Sequence, residues 1–259
     1  MAHKIRYIER NVINMEKTLN IVHLFPEIMN LYGDVGNIVV LKKRCQLRGI
    51  DANIISVNID DEIDLKDADI VFLGGGSEKD LKKAGDKLLS FKNEFISFRD
   101  TDGVMLFVCD SCQLLGNYYF LQDEKTEGLG LCDMRVEKSQ QGDKKLMGNV
   151  CIDTQFGVIA GFENHTEKIY IGDDAMPLGT VIRGYGNNGK DKKEGIWYKN
   201  IFGTNLHGPL LPKNPEFADA LIKKAILRKY NEDIDLLPIN DELAMKAKAY
   251  VLNLKKEEL

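Results

Sequence analysis

The segment ADIVFLGGGSEKDLKKAGDKLLSFKNEFISFRDTDGVMLFVCDSCQLLG, residues 68–116, decides the fold class. Two continuous apolar runs, 68–73 and 104–108, flank a charged stretch, and Ser77 is suited to cap a helix of roughly 15–20 residues there. Strands without polar alternation are typical of a parallel sheet covered on both faces. The segment therefore predicts a strand–helix–strand unit of an α/β protein.

The preceding residues continue the same alternation. Runs 18–24 and 52–58 are predicted strands, and a helix is predicted from about Gly36 to Arg48, ending at Gly49. Strands joined by right-handed helical crossovers form a doubly wound sheet. Such sheets place their functional sites at the carboxyl ends of the strands.

The second half has a different pattern. Residues 128–206 contain short β-like runs punctuated by Gly and Asn, and 215–230 and 240–257 are predicted helices. The fold class is therefore α/β, with a doubly wound, mostly parallel sheet and a β-rich second half. We expect residues 1–17 to be an N-terminal extension and 18–259 to form one domain.

Composition narrows the functional classes. The chain has 259 residues, 44% hydrophobic and 29% charged, and a net charge of -5, which argues against a nucleic-acid partner. It has no apolar run of the roughly 20 residues that cross a bilayer, and its first 18 residues lack the apolar part of a secretion signal. Five scattered cysteines indicate reduced thiols. These features predict a cytoplasmic protein.

Cys109 is a candidate nucleophile because it follows a predicted strand and precedes a predicted helix. The positive end of a helix dipole would stabilise its thiolate. A buried, inert cysteine is the alternative interpretation. The C-x-x-C spacing of Cys109 and Cys112 leaves a redox or metal role open, although zinc would need two further ligands.

Two other positions could serve the same chemistry. His207 ends an apolar run at a predicted strand end, where it could act as the base for a cysteine. Gly74–Gly76 could bind an oxyanion or a phosphate through backbone amides, or could be a plain strand-to-helix turn. The residues after these glycines do not make a P-loop.

Seven segments of the sequence are characteristic in combination: LYGDVGNI (31–38), IVFLGGGS (70–77), VCDSCQLLG (108–116), EGLGLCD (127–133), GFENH (161–165), GYGNN (184–188) and KKEGIWYKNIFGTNLHGPLLPKNP (192–215). They resemble the CobB/CobQ-like class I glutamine amidotransferases, and within these the glutaminase subunits of lipid II isoglutaminyl synthases. The resemblance covers about residues 18–250. It implies the flavodoxin-like sheet of class I glutamine amidotransferases.

The resemblance also implies roles for individual residues. Cys109 would be the nucleophile and His207 the general base, as a dyad, since Gly208 and Pro209 follow the histidine where other class I enzymes carry His-x-Glu. Gln113 sets this register, because in the family a Gln stands four residues after the nucleophile. Further substrate-binding positions are implied: Gly75, Gly76 and the amide of Asp110 for the oxyanion, and Lys145 where the family carries an Arg.

The sequence departs from the family at the turn after the strand. The family reads Cys-Gly-Gly there, and this chain reads Cys109-Asp110-Ser111. We expect Ser111 and the bulky Phe107 to strain the turn. A carboxylate at Asp110 would raise the thiol pKa if it pointed inward.

The resemblance finally implies what the chain works with. Its substrate would be L-glutamine, and the ammonia would pass to a Mur-ligase-like subunit in a heterodimer, which amidates the D-glutamate α-carboxylate of lipid II to D-isoglutamine. No cofactor is expected on this chain, whereas ATP and Mg are expected on the partner. The lipid-linked acceptor would be reached through the partner, with no integral membrane contact. Two alternatives remain: a glutaminase for a different ligase, such as a cobyric acid synthase, and a weakly active or regulatory paralogue.

Overall fold

The computed structural model describes residues 17–121, 124–138, 140 and 142–253. The predicted N-terminal extension lies outside this range except for Lys17, as do residues 254–257 of the last predicted helix.

A six-stranded sheet forms the centre of the described fold, with the order β13-β14-β4-β3-β1-β2. Its strands are β1 (Thr18–Leu24), β2 (Asp51–Val57), β3 (Ile70–Leu73), β4 (Val104–Val108), β13 (Ile196–Tyr198) and β14 (Ile201–Thr204). All neighbours pair in parallel except β13, which runs antiparallel to β14 at the edge. The predicted doubly wound, mostly parallel sheet is therefore confirmed.

Helices cover both faces of this sheet. They are α1 (Val35–Gln46), α2 (Glu78–Ser90), α3 (Lys92–Asp100) and α4 (Pro215–Tyr230). The fifth helix, α5 (Glu242–Asn253), lies away from this sheet, where Val251 packs on Cys151 and Ala160. Along β3, Val71 faces a buried cluster with Leu88 of α2. The next residue, Phe72, faces the opposite cluster with Leu221 of α4. Strand β3 is apolar throughout because alternate side chains enter two different cores.

The helix predicted after Ser77 is in fact two helices. Its N-cap is as expected, since the Ser77 hydroxyl accepts a hydrogen bond from the Asp80 amide at 3.3 Å. The backbone leaves the helical region at Phe91, with φ -117° and ψ 23°, before α3 begins. The ring of Phe91 packs against the core at this break. Packing of one aromatic side chain thus takes precedence over the local helical preference.

The remaining strands form small antiparallel sheets. Strand β5 (Tyr118–Leu121) pairs with β6 (Glu124–Glu127), and β7 (Met134–Glu137) pairs with β10 (Lys168–Ile171). A four-stranded sheet has the order β12-β11-β8-β9, built from β8 (Leu146–Thr154), β9 (Gly157–His165), β11 (Gly179–Arg183) and β12 (Lys193–Glu194). None of the described helices is long and apolar enough to cross a bilayer.

Strand β14 was predicted only as one of the short runs of the β-rich half, and here the structure differs. The strand inserts beside β4 in the parallel sheet, with Thr204 opposite Val108. Residues that follow these two strands consequently emerge at the same sheet edge. This pairing brings the segment that carries Asn205 and His207 to the edge that carries Cys109.

Candidate active site

Cys109 lies on a strained turn directly after β4. Its φ of +62° is in the left-handed region, which costs a residue with a side chain about 1–3 kcal/mol. The Ser111 hydroxyl donates to the carbonyls of Val108 at 2.7 Å and Leu73 at 3.3 Å. These bonds fasten the turn to the ends of β4 and β3. The Ser111 hydroxyl therefore holds the turn against both strands, and the strain expected from Ser111 and Phe107 stays a prediction.

A polar cavity of about 290 Å³ opens above this turn. Its walls contain five of the seven predicted site residues: Gly76, Cys109, Asp110, Gln113 and Lys145. The other two, Gly75 and His207, lie directly behind its walls. The cavity also contains residues without an assigned role in the sequence interpretation: Tyr32, Glu78, Leu81, Phe120, Leu121, Asn164, His165, Thr166, Glu167 and Asn205.

The glycine amides beside Cys109 are occupied by carboxylates. The Gly75 amide donates to Asp34 Oδ2 at 2.9 Å, and the Gly76 amide donates to Asp110 Oδ1 at 3.3 Å. Gly75 itself is packed on the nucleophile, since a Cβ there would lie 2.6 Å from the Cys109 Cβ. Two of the three amides predicted to receive an oxyanion, those of Gly75 and Gly76, therefore donate to side-chain carboxyl groups of the protein in this arrangement.

The environment of Cys109 disfavours its thiolate, as expected for an inward-pointing Asp110. Burial, and secondly the Asp110 carboxylate, raise the pKa of the Cys109 thiol well above its usual value. The hydrogen bond from the Asp110 amide opposes this rise without cancelling it. The helix predicted after Cys109 is a short 3₁₀ helix of seven residues, Cys109–Leu115. The side chain of Asp110 points inward, and burial raises its own pKa to about 7.

His207 is held beneath the cavity wall by two aromatic rings. Its backbone forms an isolated bridge with Phe162, whose ring meets the imidazole at 60°. The Tyr32 ring stacks on the imidazole with centroids 3.9 Å apart and planes 16° apart. His207 is 2% exposed, and neither ring nitrogen has a hydrogen-bond partner among the described residues. Burial, followed by the nearby His165 and Lys213, lowers the pKa of His207 to about 4.

A buried carboxylate fixes the segment between β14 and His207. Glu194 accepts hydrogen bonds from the Thr204 hydroxyl and the Asn205 amide, both at 2.9 Å. Burial raises the pKa of Glu194 to about 7. The Asn205 Oδ1 in turn accepts a long hydrogen bond, 3.5 Å, from the Cys112 thiol. Cys112 thus connects the turn of Cys109 to β14, and all five cysteines are free.

Two of the quoted segments supply side chains at or beside the cavity that the sequence interpretation left without a role. Tyr32 and Asp34 belong to LYGDVGNI, whereas Asn164 and His165 belong to GFENH. His165 Nδ1 lies 3.0 Å from the carbonyl of Glu167, and its Nε2 lies 3.8 Å from the buried Glu163 carboxylate. The resemblance marked both segments as characteristic. Only the tertiary contacts show which of their side chains reach the cavity.

Solved glutamine amidotransferase structures share this fold. One crystal structure of a glutamine amidotransferase aligns with a TM-score of 0.55 and 15% identity, covering 79% of this chain and 98% of that one. The glutaminase domain of Trypanosoma brucei CTPS with bound acivicin aligns with a TM-score of 0.51 and 11% identity, covering 85% and 96%. The fold is therefore that of the class I glutamine amidotransferases.

The family within this class follows from the sequence match. Residues 20–215 match the CobB/CobQ-like glutamine amidotransferase domain, and the chain belongs to this family. It is 38% identical to the lipid II isoglutaminyl synthase (glutamine-hydrolyzing) subunit GatD of Staphylococcus aureus strain N315, over 91% of this chain and 95% of the relative. The GatD subunit of Streptococcus pneumoniae is 36% identical, over 90% of both.

The match to a more distant relative covers less of both chains. A probable cobyric acid synthase of Methanococcus maripaludis is 30% identical over 55% of this chain, but only 30% of that relative is covered. The GatD subunits are therefore similar to this chain over about nine-tenths of its length, whereas the synthase is similar over about half of it.

Proposed function

We propose that this chain is the glutamine-hydrolysing subunit of a lipid II isoglutaminyl synthase. The similarity to GatD subunits over about nine-tenths of both chains carries this proposal. The cavity above Cys109 supports it, since a nucleophile on a strained turn at the carboxyl end of a strand is suited to amide hydrolysis. The smaller coverage of the cobyric acid synthase argues against a role in that reaction.

In the proposed reaction Cys109 Sγ attacks the side-chain carbonyl carbon of glutamine. His207 accepts the thiol proton and delivers it to the departing nitrogen, which leaves as ammonia. Water then cleaves the γ-glutamyl thioester and releases glutamate and the thiol. The raised pKa of Cys109 and the lowered pKa of His207 favour the neutral pair at rest. Proton transfer therefore accompanies the attack on the carbonyl carbon.

The oxyanion would accept hydrogen bonds from backbone amides, one of which now donates to a side-chain carboxyl group of the protein. If the Asp110 side chain turns away, the Gly76 amide and the amide of Asp110 can both face the substrate oxygen. Each such donor is worth roughly 3–4 kcal/mol in a transition state. Lys145 and Gln113 line the same cavity and would bind the remainder of glutamine. ATP and Mg would belong to the ligase subunit, together with the lipid-linked acceptor.

Reconstitution with a Mur-ligase-like partner tests the proposal. Release of glutamate and amidation of lipid II should both require Cys109, so the Cys109→Ala complex should do neither with glutamine. It should still amidate with added ammonium, which shows that the partner is intact. Amidation of a cobyrinic-type acid instead of lipid II would favour the other ligase. A chain that binds the ligase but releases no glutamate would favour the regulatory paralogue.

A further inference from the structure

His207 lacks the partner that usually orients a catalytic histidine. A third group, most often a carboxylate, commonly binds one ring nitrogen and fixes the direction of the other. Among the described residues neither nitrogen of His207 has a hydrogen-bond partner. The titratable groups that influence its charge, His165 and Lys213, are both basic. The orientation of this ring must therefore come from contacts with its faces.

We propose that Tyr32 is the positioning residue of the dyad and replaces the missing carboxylate by stacking on the face of His207. The near-parallel contact, 3.9 Å between centroids, fixes the tilt of the imidazole. Because the N–H and the free lone pair of a neutral imidazole both lie in the ring plane, a ring on its face obstructs neither of them.

Tyr32 is itself fixed at both ends of its side chain. The Asn164 amide nitrogen donates to the Tyr32 hydroxyl at 3.0 Å. The residues on either side of Tyr32 are bonded to Gly75. The Leu31 amide donates to the Gly75 carbonyl at 3.0 Å, and the Asp34 carboxylate accepts from the Gly75 amide. Gly75 packs on Cys109. Gly75 therefore contacts both the nucleophile Cys109 and the segment that carries the Tyr32 ring.

The inference rests on the proposed function, and variants of Tyr32 test it separately. Tyr32→Phe keeps the ring and should retain at least about a third of the wild-type kcat for glutamate release. Tyr32→Leu removes the ring and should lower kcat by about 30-fold while KM changes less than about threefold. Tyr250→Leu, at an exposed tyrosine of α5, is the matched control and should behave as wild type. Equal activity of Tyr32→Leu and Tyr32→Phe would overturn the proposal.

An NMR titration of the His207 imidazole gives a readout that needs no turnover. Removing the Tyr32 ring admits water, so the pKa of His207 should rise from about 4 toward its usual 6.5 in Tyr32→Leu. In Tyr32→Phe the pKa should stay near the wild-type value. An unchanged pKa in Tyr32→Leu would overturn the inference even if the chain hydrolyses glutamine. Failure of the proposed function would be seen separately. In that case the His207→Ala complex would release glutamate as fast as the wild-type complex.

Discussion

Assignment of the nucleophile depends on two cysteines three residues apart. Cys109 lines the cavity on a left-handed turn, whereas Cys112 is buried behind it against Asn205. Cys109→Ala should abolish glutamate release because the covalent intermediate cannot form. Cys112→Ala should retain most activity, with a modest loss of stability. A steady-state glutaminase assay distinguishes them, and the reverse ranking would show that the register is wrong.

Asp110 should control the reactivity of that nucleophile. Its carboxylate raises the pKa of the Cys109 thiol and occupies the Gly76 amide. Asp110→Asn removes the charge and keeps the size, so the pKa of Cys109 should fall. The measurement is the rate of iodoacetamide alkylation against pH, whose midpoint should move to lower pH. Ser111 is not mutated in this experiment, because its hydroxyl holds the turn. An unmoved midpoint would mean that Asp110 does not control the thiol.

His23 should make the stability of the fold depend on pH. Burial within β1 lowers the pKa of His23 from 6.5 to about 4, so between these values the unfolded chain binds more protons than the folded one. The stabilisation is fully present above pH 6.5 and is lost as the pH falls toward 4, by about 3 kcal/mol at most. In urea titrations His23→Leu should lose less stability over this interval than wild type. Parallel losses would contradict this origin.

At the scale of secondary-structure elements, the Arg44 side chain links three helical segments. It extends from α1 and pairs with Asp219 of α4 and with Asp241, which directly precedes α5. Arg44→Ala would leave two carboxylates without this cation and should destabilise the fold by about 3 kcal/mol. Lys82→Ala, which breaks the exposed pair with Asp86, should cost less than about 1 kcal/mol. Urea unfolding compares the two, and similar costs would contradict a structural role for Arg44.

Prediction from sequence succeeds where a pattern is local and fails where partners are distant. Continuous apolar runs predicted β3 and β4, strand-like runs predicted β1 and β2, and Ser77 predicted the start of α2. Nothing in the run IFGTNL distinguishes a strand of a small antiparallel sheet from β14, because its neighbour β4 lies about a hundred residues away. The break at Phe91 likewise depends on the core that receives the ring.

The candidate site divides along the same line. Cys109 and His207 were singled out by residue type and position at strand ends, and the resemblance gave them roles. The inward direction of Asp110, the Asp34 carboxylate on Gly75 and the Tyr32 ring on His207 are all contacts between loops. Such contacts depend on the packed sheet, so single-sequence patterns cannot supply them.

At the scale of the whole molecule, we expect Lys145 to lie at the mouth of the glutamine cavity, on the side that faces the partner ligase. It is exposed at the cavity, in the segment that leads into β8. Lys145→Glu should weaken glutamine binding, and at saturating glutamine it should impair amidation of the acceptor more than glutamine hydrolysis, because a reversed charge opposes an anionic lipid-linked substrate or an acidic partner surface. The measurement compares glutamate release with isoglutamine formation in the reconstituted complex. Equal loss of both would place Lys145 in the glutaminase site alone.

The close approach of Gly75 to Cys109 also limits how this protein can evolve. Any other residue at position 75 would bring a Cβ within 2.8 Å of the Cys109 Sγ, which requires the nucleophile to move. Asp110, whose side chain borders the open cavity, has no comparable restriction. A random library selected for glutamine hydrolysis should therefore retain glycine at 75 and accept several residues at 110. Position 75 should therefore stay glycine during evolution, whereas substitutions at position 110 could change the rate of turnover.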